Sequence, residues 1–354
     1  MSATLLLDYM PLEQLAHRSA DWWSRVLGVV GFDGSPRIEQ QQVPVTASMT
    51  PMLGGEAGLC EVWRVADGDA LQPEDAAGVG GRLRYRHCDQ LLFGCVNVVE
   101  QDLLYAGENN PSAALQRATR TAYQDMFALL NTTGHAHLIR VWNYLPEING
   151  HSDGEERYRH FNSARASAFA QSGREDVASV PAASALGSGA RSPLSIYFLA
   201  ARHTPVMIEN PRQISAYRYP PQYGSHSPLF SRACVTSSPG GTNLFVSGTA
   251  SIVGHETIHR GNVVAQTRET LCNITALLEE ANRRTRPSRY TLDSLQYKVY
   301  IRDPSDQPAV AAELAATLQT STRVVYLQAD VCRNDLLVEI EASGESMHAP
   351  SQWS

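Results

Sequence analysis

Glu339 is the residue whose surroundings least suit its type. It stands in Leu336-Leu-Val-Glu-Ile-Glu341, an apolar run that reads as a strand. Strand alternation puts Leu337, Glu339 and Glu341 on one face and Val338 and Ile340 on the other. A carboxyl buried without a partner is costly as an anion, so it keeps its proton. That is the property a general acid needs near neutral pH. Taken alone, the run also fits an edge strand whose Glu face is solvated. Cys332, in Asp330-Val-Cys-Arg-Asn334, reads by itself as a packed thiol.

Arginines are the second chemical group. Arg165 lies in Phe161-Asn-Ser-Ala-Arg-Ala-Ser-Ala-Phe169, where small neighbours allow close approach to a helix face that also carries Tyr158. Arg212 and Tyr217 belong to the segment from Asn210 to Arg232, whose four prolines exclude helix and central strand. A long ordered loop with this much Arg and Tyr reads as a binding loop. Guanidinium forks suit carboxylates, so Arg165, Arg212 and Arg232 read together as an anion site. Arg140, Arg202 and Arg218 stand behind them. Gly248 marks a place where a ligand can approach the backbone.

Other chemistries lack their patterns. There is no Walker sequence and no Gly-x-Gly-x-x-Gly, and no Gly-x-Ser-x-Gly elbow. His255 and His259, four apart on an expected helix, do not form a zincin motif. The six cysteines are dispersed, without a Cys-x-x-Cys pair or a Cys/His ligand spacing. No metal site and no disulfide framework is expected.

The chain has 354 residues and a formal net charge of -7. The charge argues against non-specific binding to nucleic acid or anionic membranes. Met1 to Asp8 has no basic segment and too short an apolar run for a signal peptide. No apolar run approaches the ~20 residues of a membrane span. A cytoplasmic protein is expected. Hydrophobic residues make up 43 %, enough to fill a core, and ~150 residues per domain implies two domains.

Along the chain, Leu12 to Val30 reads as an amphipathic helix carrying Trp22 and Trp23, followed by a Gly- and Pro-rich stretch to Gly81. Strands are expected at 91–99, 137–144, 194–200, 244–251, 295–302, 323–329 and 336–341. Helices are expected from Pro111 to Gly134, from Gly154 through Phe169, from near Glu256 to Arg284, and over 309–318. Thr119-Arg-Thr-Ala-Tyr-Gln-Asp-Met-Phe-Ala-Leu-Leu130 parallels Thr267-Arg-Glu-Thr-Leu-Cys-Asn-Ile-Thr-Ala-Leu-Leu278. Each follows a Gly-containing strand and precedes another apolar strand, which implies a tandem of related units. Chance likeness between amphipathic helices is the alternative.

The order of segments from Leu244 to Glu341 resembles the RidA/YjgF fold, a small α+β unit that usually trimerises and places ligands between neighbouring units. With Val141-Trp-Asn-Tyr144, Pro181-Ala-Ala-Ser-Ala-Leu-Gly187 and the Arg/Tyr loop, the chain resembles the chorismatases over roughly residues 85 to 343. The resemblance implies an α+β fold of tandem RidA/YjgF-like units, with mixed sheets and helices packed on one face. It implies an N-terminal domain over 1–235 and a C-terminal domain over 236–354. It also implies a cofactor-free enzyme that converts chorismate to pyruvate and 3-hydroxybenzoate, with 4-hydroxybenzoate as a further product. Glu339 would be the acid, and Cys332 the residue that selects the aromatic product. Tyr158, Arg165, Arg212, Tyr217, Arg232, Gly248 and Ala250 would bind substrate. If Ala250 is the second position that separates product types, the chain carries a mixed pair. The alternatives are a hydrolase giving 3,4-dihydroxycyclohexa-1,5-dienoate, a RidA-type imine deaminase, and a small-acid binding protein. A homotrimer or a monomer with internal pseudo-symmetry is expected.

Overall fold

The computed structural model describes residues 4–40, 42–66, 71, 82–105, 110–174, 176, 180–238, 241–286 and 288–346. Of the Gly- and Pro-rich stretch up to Gly81, residues 41, 67–70 and 72–81 lie outside these. Three sheets carry the chain, and they repeat one pattern. The first comprises β1 (Leu5–Pro11), β2 (Val26–Gly31), β3 (Val45–Ala47) and β4 (Leu59–Val65), with two short helices, α1 (Leu12–Ala16) and α2 (Ala20–Ser24). Its strand order is β1-β4-β2-β3.

The second unit runs through β5 (Leu83–His87), β6 (Leu91–Val98), α3 (Pro111–Thr133), β7 (His137–Pro146), a hairpin of β8 (His151–Ser152) and β9 (Glu155–Glu156), α4 (Arg157–Gln171), β10 (Ala182–Ser188) and β11 (Leu194–Ala201). The third runs through β12 (Val206–Ile208), β13 (Ala233–Ser238), β14 (Gly241–Thr249), a hairpin of β15 (Ile252–Val253) and β16 (Glu256–Thr257), α5 (Val263–Arg284), β17 (Leu295–Ile301), α6 (Gln307–Thr317), β18 (Val324–Gln328), β19 (Asp330–Val331) and β20 (Val338–Ser346).

The second sheet is ordered β19-β10-β7-β11-β6-β5 and the third β12-β13-β14-β20-β17-β18. In each unit a first strand leads through helix to a second strand, and a third strand lies parallel to the second. A returning strand then inserts antiparallel between the first and second. This is the expected α+β tandem, and the N-terminal sheet adds a third, abbreviated copy. The short helices of that copy explain why its periodicity is hard to read.

Helices lie on one face of each sheet. α3 and α4 cover the second sheet, α5 and α6 the third, and α1 and α2 the first, each pair over its own apolar cluster. The opposite faces meet in one shared core, where Trp63, Trp142, Tyr197, Phe245 and Tyr300 pack together.

The structure revises several expected elements. Leu12 to Val30 is not one helix: Ser19 caps the short α2 by accepting from the Trp22 N–H, and Val26–Gly31 pairs with β4. The helix expected from Glu256 begins at Val263, because Glu256 and Thr257 pair back onto β15 around Gly254. Asn262 then caps α5 through Ala265, as Asn110 caps α3 through Ala113. His255 and His259 are therefore not on a helix, and His259 has a left-handed backbone with φ 58°. The sequence reading had no strand at β10, a run of small residues. β12 and β13 pair into the third sheet, so that sheet begins before residue 235.

Candidate active site

β20 is flanked by β14 and β17, so the edge-strand alternative for Glu339 is removed. Val338, Ile340 and Ala342 join the apolar layer under α5 and α6. Glu339 and Glu341 consequently face inward, and Glu339 is 4 % exposed. Opposite it, β14 carries a bulge where its register shifts between Val246 and Thr249. The bulge brings Gly248 against the acid: a β-carbon there would lie 1.8 Å from Glu339 Oε1. The Gly248 N–H donates to Ser184 Oγ at 3.0 Å, and the Ala183 N–H donates to Ser247 Oγ at 2.9 Å. These bonds join β14 of the third unit to β10 of the second.

Between those two units lies a cleft whose walls carry Tyr158, Tyr219, Arg232, Cys332, Arg333 and Glu339. An adjoining recess shares Tyr158, Phe230, Gly248, Cys332 and Glu339 with it. Cys332 arrives because β19 crosses from the third unit to pair antiparallel with β10. Arg302 holds this crossing by donating to the carbonyls of Val331, Arg333 and Leu336. α4 supplies Tyr158 and Arg165, one on the shared wall and one in the recess. The long loop supplies Tyr219, Tyr223, Phe230 and Arg232, and Ala250 completes the wall beside Cys332.

Burial, reinforced by the Glu341 carboxylate, pushes the Glu339 carboxyl up to about 8, against the opposing pull of Arg140 and Arg232. Glu339 therefore holds its proton at neutral pH. Burial and the neighbouring Glu339 push the Cys332 thiol up to about 12, so it is a neutral thiol. Burial also raises Tyr158, with Cys332 adding and Arg165 opposing.

Arg165, Arg232 and Arg333 have no carboxylate oxygen within 4.0 Å among the described residues. Arg165 Nε, Arg232 Nε and Arg333 Nη2 are buried and without a hydrogen-bond partner. Their side-chain hydrogen bonds go to neutral groups, although the Glu209 carboxyl lies near Arg232 and feels its charge and backbone N–H. Arg165 donates to Asn162 Oδ1 at 2.9 Å and lies over the Phe161 ring. Arg232 donates to Ile214 O and to the Tyr219 hydroxyl, and Arg333 stacks on Tyr223 at 4.1 Å. Arg165 and Arg232 are buried and Arg333 is half-buried, and their unused donors are of the kind that a carboxylate satisfies.

Seven of the nine expected site residues come together: Glu339, Cys332, Tyr158, Arg165, Arg232, Gly248 and Ala250 all line the cleft or its recess. Arg212 and Tyr217 do not. Arg212 is drawn to α5, where it pairs with Glu269 at 2.6 Å and donates to Asn273 Oδ1, so it fastens the base of the loop. Tyr217 packs toward the helices of the second unit. Of the arginines ranked behind them, Arg140 is buried in an ion pair with Glu341, while Arg202 lies near the exposed Asp89. Arg159, Arg333, Ser184, Tyr219 and Tyr223 are wall residues that sequence reasoning missed. Arg333 adjoins Cys332 and was findable from that adjacency; Ser184 required the pairing of β10 with β7. Among the described residues no group of His, Cys, Asp or Glu could hold a metal ion, and no helix is long and apolar enough to cross a membrane.

A family model described as Chorismatase FkbO/Hyg5-like, N-terminal, matches residues 61–200. A 3-hydroxybenzoate synthase from Streptomyces hygroscopicus is 36 % identical over 335 residues, covering 89 % of this chain and 90 % of the relative. The chain belongs to the chorismatase family. A chorismatase from Streptomyces rapamycinicus is 35 % identical over 352 residues, covering 96 % of this chain and 99 % of that one. A chorismatase crystal structure superposes with a TM-score of 0.80 at 29 % identity, covering 97 % of this chain and 99 % of that chain. The abbreviated first unit, the two full units and the crossing of β19 all lie within these spans of chorismatase likeness.

Proposed function

We propose that the protein converts chorismate to pyruvate and 3-hydroxybenzoate, without a cofactor, in the cytoplasm. The observation that carries the reading is a carboxyl held protonated beside arginines whose donors are unused. Chorismate is a dianion with an enol ether, so it needs fixed cations and a carbon acid-base step. Arg165, Arg232 and Arg333 hold its carboxylates. Glu339 gives its proton to the enolpyruvyl methylene carbon, and the C3–O bond breaks with its electron pair going to the pyruvate carbonyl. The C4 hydroxyl oxygen bonds to C3 and returns its proton to Glu339. The arene-oxide-like species opens to hydroxybenzoate, and opening at the other carbon yields 4-hydroxybenzoate as a further product. Purified protein incubated with chorismate should release pyruvate and 3-hydroxybenzoate in equal amounts, read by coupled assay and chromatography. Chorismate left unchanged would sink the reading.

Cys332→Ala is expected to retain pyruvate release and to shift products toward the dihydroxycyclohexadiene acid. A neutral thiol donates a weak hydrogen bond at the ring, alanine donates none, and the space freed admits water. An unchanged product ratio would make Cys332 a packing residue. Gly248→Ala should lower turnover by about 10²-fold, the scale of an ~1 Å misplacement of a reacting group, because the added methyl displaces the Glu339 carboxyl. Wild-type turnover in the folded variant would show that the acid accommodates the methyl in place.

The three units within one chain favour a monomer with internal pseudo-symmetry over a homotrimer. Light scattering that reports a trimer would overturn this. Sheet membership favours dividing the chain after β11 rather than at residue 235.

A further inference from the structure

We propose that Glu341 is a positioning residue for the acid: fixed in the core where the three sheets meet, it presents a negative charge to Glu339 and so keeps the proton on Glu339. The inference rests on the reading of Glu339 as the acid.

The two glutamates are two residues apart on one strand face, their Cα atoms about 6.6 Å apart by strand rise. Their surroundings differ sharply. Glu341 accepts from four donors: Lys298 Nζ at 2.7 Å and Trp142 Nε1 at 2.7 Å on one oxygen, Arg140 Nη2 at 2.6 Å and Ser184 Oγ at 2.6 Å on the other. No hydrogen bond or ion pair among the described residues engages Glu339. Like charges this close in a low-dielectric site disfavour each other, and the carboxyl supplied with donors takes the charge first.

Lys298 extends this to all three sheets. Lys298 Nζ lies in ion-pair contact with Glu61 at 2.6 Å and Glu341 at 2.7 Å, and donates to Tyr197 OH at 2.8 Å. Those residues come from the returning strands of the first, second and third sheets. Glu61 is completely buried and is also bonded by Trp63 Nε1. The first sheet thus helps to fix the lysine that fixes Glu341. Lys298 and Arg140 balance Glu61 and Glu341 in charge, so the knot persists in the core, with Glu341 its member nearest Glu339 along β20.

Other groups face Glu339 as well. Arg140 from β7 and Arg232 before β13 oppose Glu341. Tyr300 lies opposite on β17, and Tyr158, Arg165 and Cys332 share the recess. The test therefore changes one sign at a time. The Glu339 carboxyl is titrated in the ligand-free full chain by 13C NMR of labelled glutamate, with E339Q as assignment control. Glu341→Gln should lower its midpoint by at least one pH unit, and Arg140→Gln should raise it. The basic limb of the turnover profile should move with each. A midpoint unmoved in both, or moved the same way, overturns the proposal. Should E341Q fail to fold, an upward shift in R140Q supports it and an unmoved midpoint overturns it. The titration needs no chorismate, so a shifted midpoint without turnover would overturn the catalytic reading and leave the positioning role standing.

Discussion

Glu339→Gln should abolish pyruvate release, by at least ~10²-fold in turnover, while the fold stays intact. Glutamine keeps the shape and has no proton to give to carbon. Among the described residues no hydrogen bond engages Glu339, so the swap orphans no partner. The pH profile gives the same prediction a second reading. Glu339 titrates near 8 in the folded protein against an ordinary value of 4.5. Activity that needs the protonated form is therefore full below that point and falls as pH rises through about 8. Stability follows the same sign. The folded state holds a proton that the unfolded state releases between those values, so this contribution is present below about 4.5 and is lost as pH rises through about 8. In E339Q that slope should vanish from the denaturation curves. Near-wild-type turnover in the folded variant would remove Glu339 from the mechanism.

Arg165→Ala should weaken binding of a non-reactive chorismate analogue by ~2–5 kcal/mol, the cost of leaving a buried carboxylate without its charged partner. At 1.4 kcal/mol per tenfold this is a loss of about 30-fold or more. Stability should move the other way or not at all. Arg165 is 2 % exposed and lacks a carboxylate partner among the described residues, and removing an unpaired buried charge relieves a desolvation cost. Arg212→Ala provides the contrast. It should leave binding unchanged and lower stability, because Glu269 then loses its partner at 2.6 Å. Calorimetry and thermal denaturation read both. Unchanged affinity in R165A would place the anion site elsewhere.

The periodicity of the chain was sufficient for α3, β7, α5, β17 and β20, because each is long and its apolar residues recur at one period. It was insufficient for the first unit, whose helices are five residues each and whose periodic signal is correspondingly short. It also missed β10, since Ala, Ser and Gly carry no pattern although the strand is buried between β7 and β19.

At the site, sequence alone determined that Glu339 and Glu341 share a face, and that an anionic ligand would need a local cluster of arginines in this acidic protein. It could not rank those arginines. Arg165 and Arg212 look alike as residues in a sequence. What separates them is that α5 brings Glu269 to Arg212, while no described segment brings a carboxylate to Arg165. Nor could it decide which of the two glutamates carries the charge. That choice depends on Lys298, Arg140, Trp142 and Ser184 converging on Glu341 from β17, β7 and β10. Partners so distant in the chain meet only when the three sheets close on one core. Strand alternation is a local property and is legible locally, whereas the state of a buried carboxyl is set by the groups that tertiary structure brings to it.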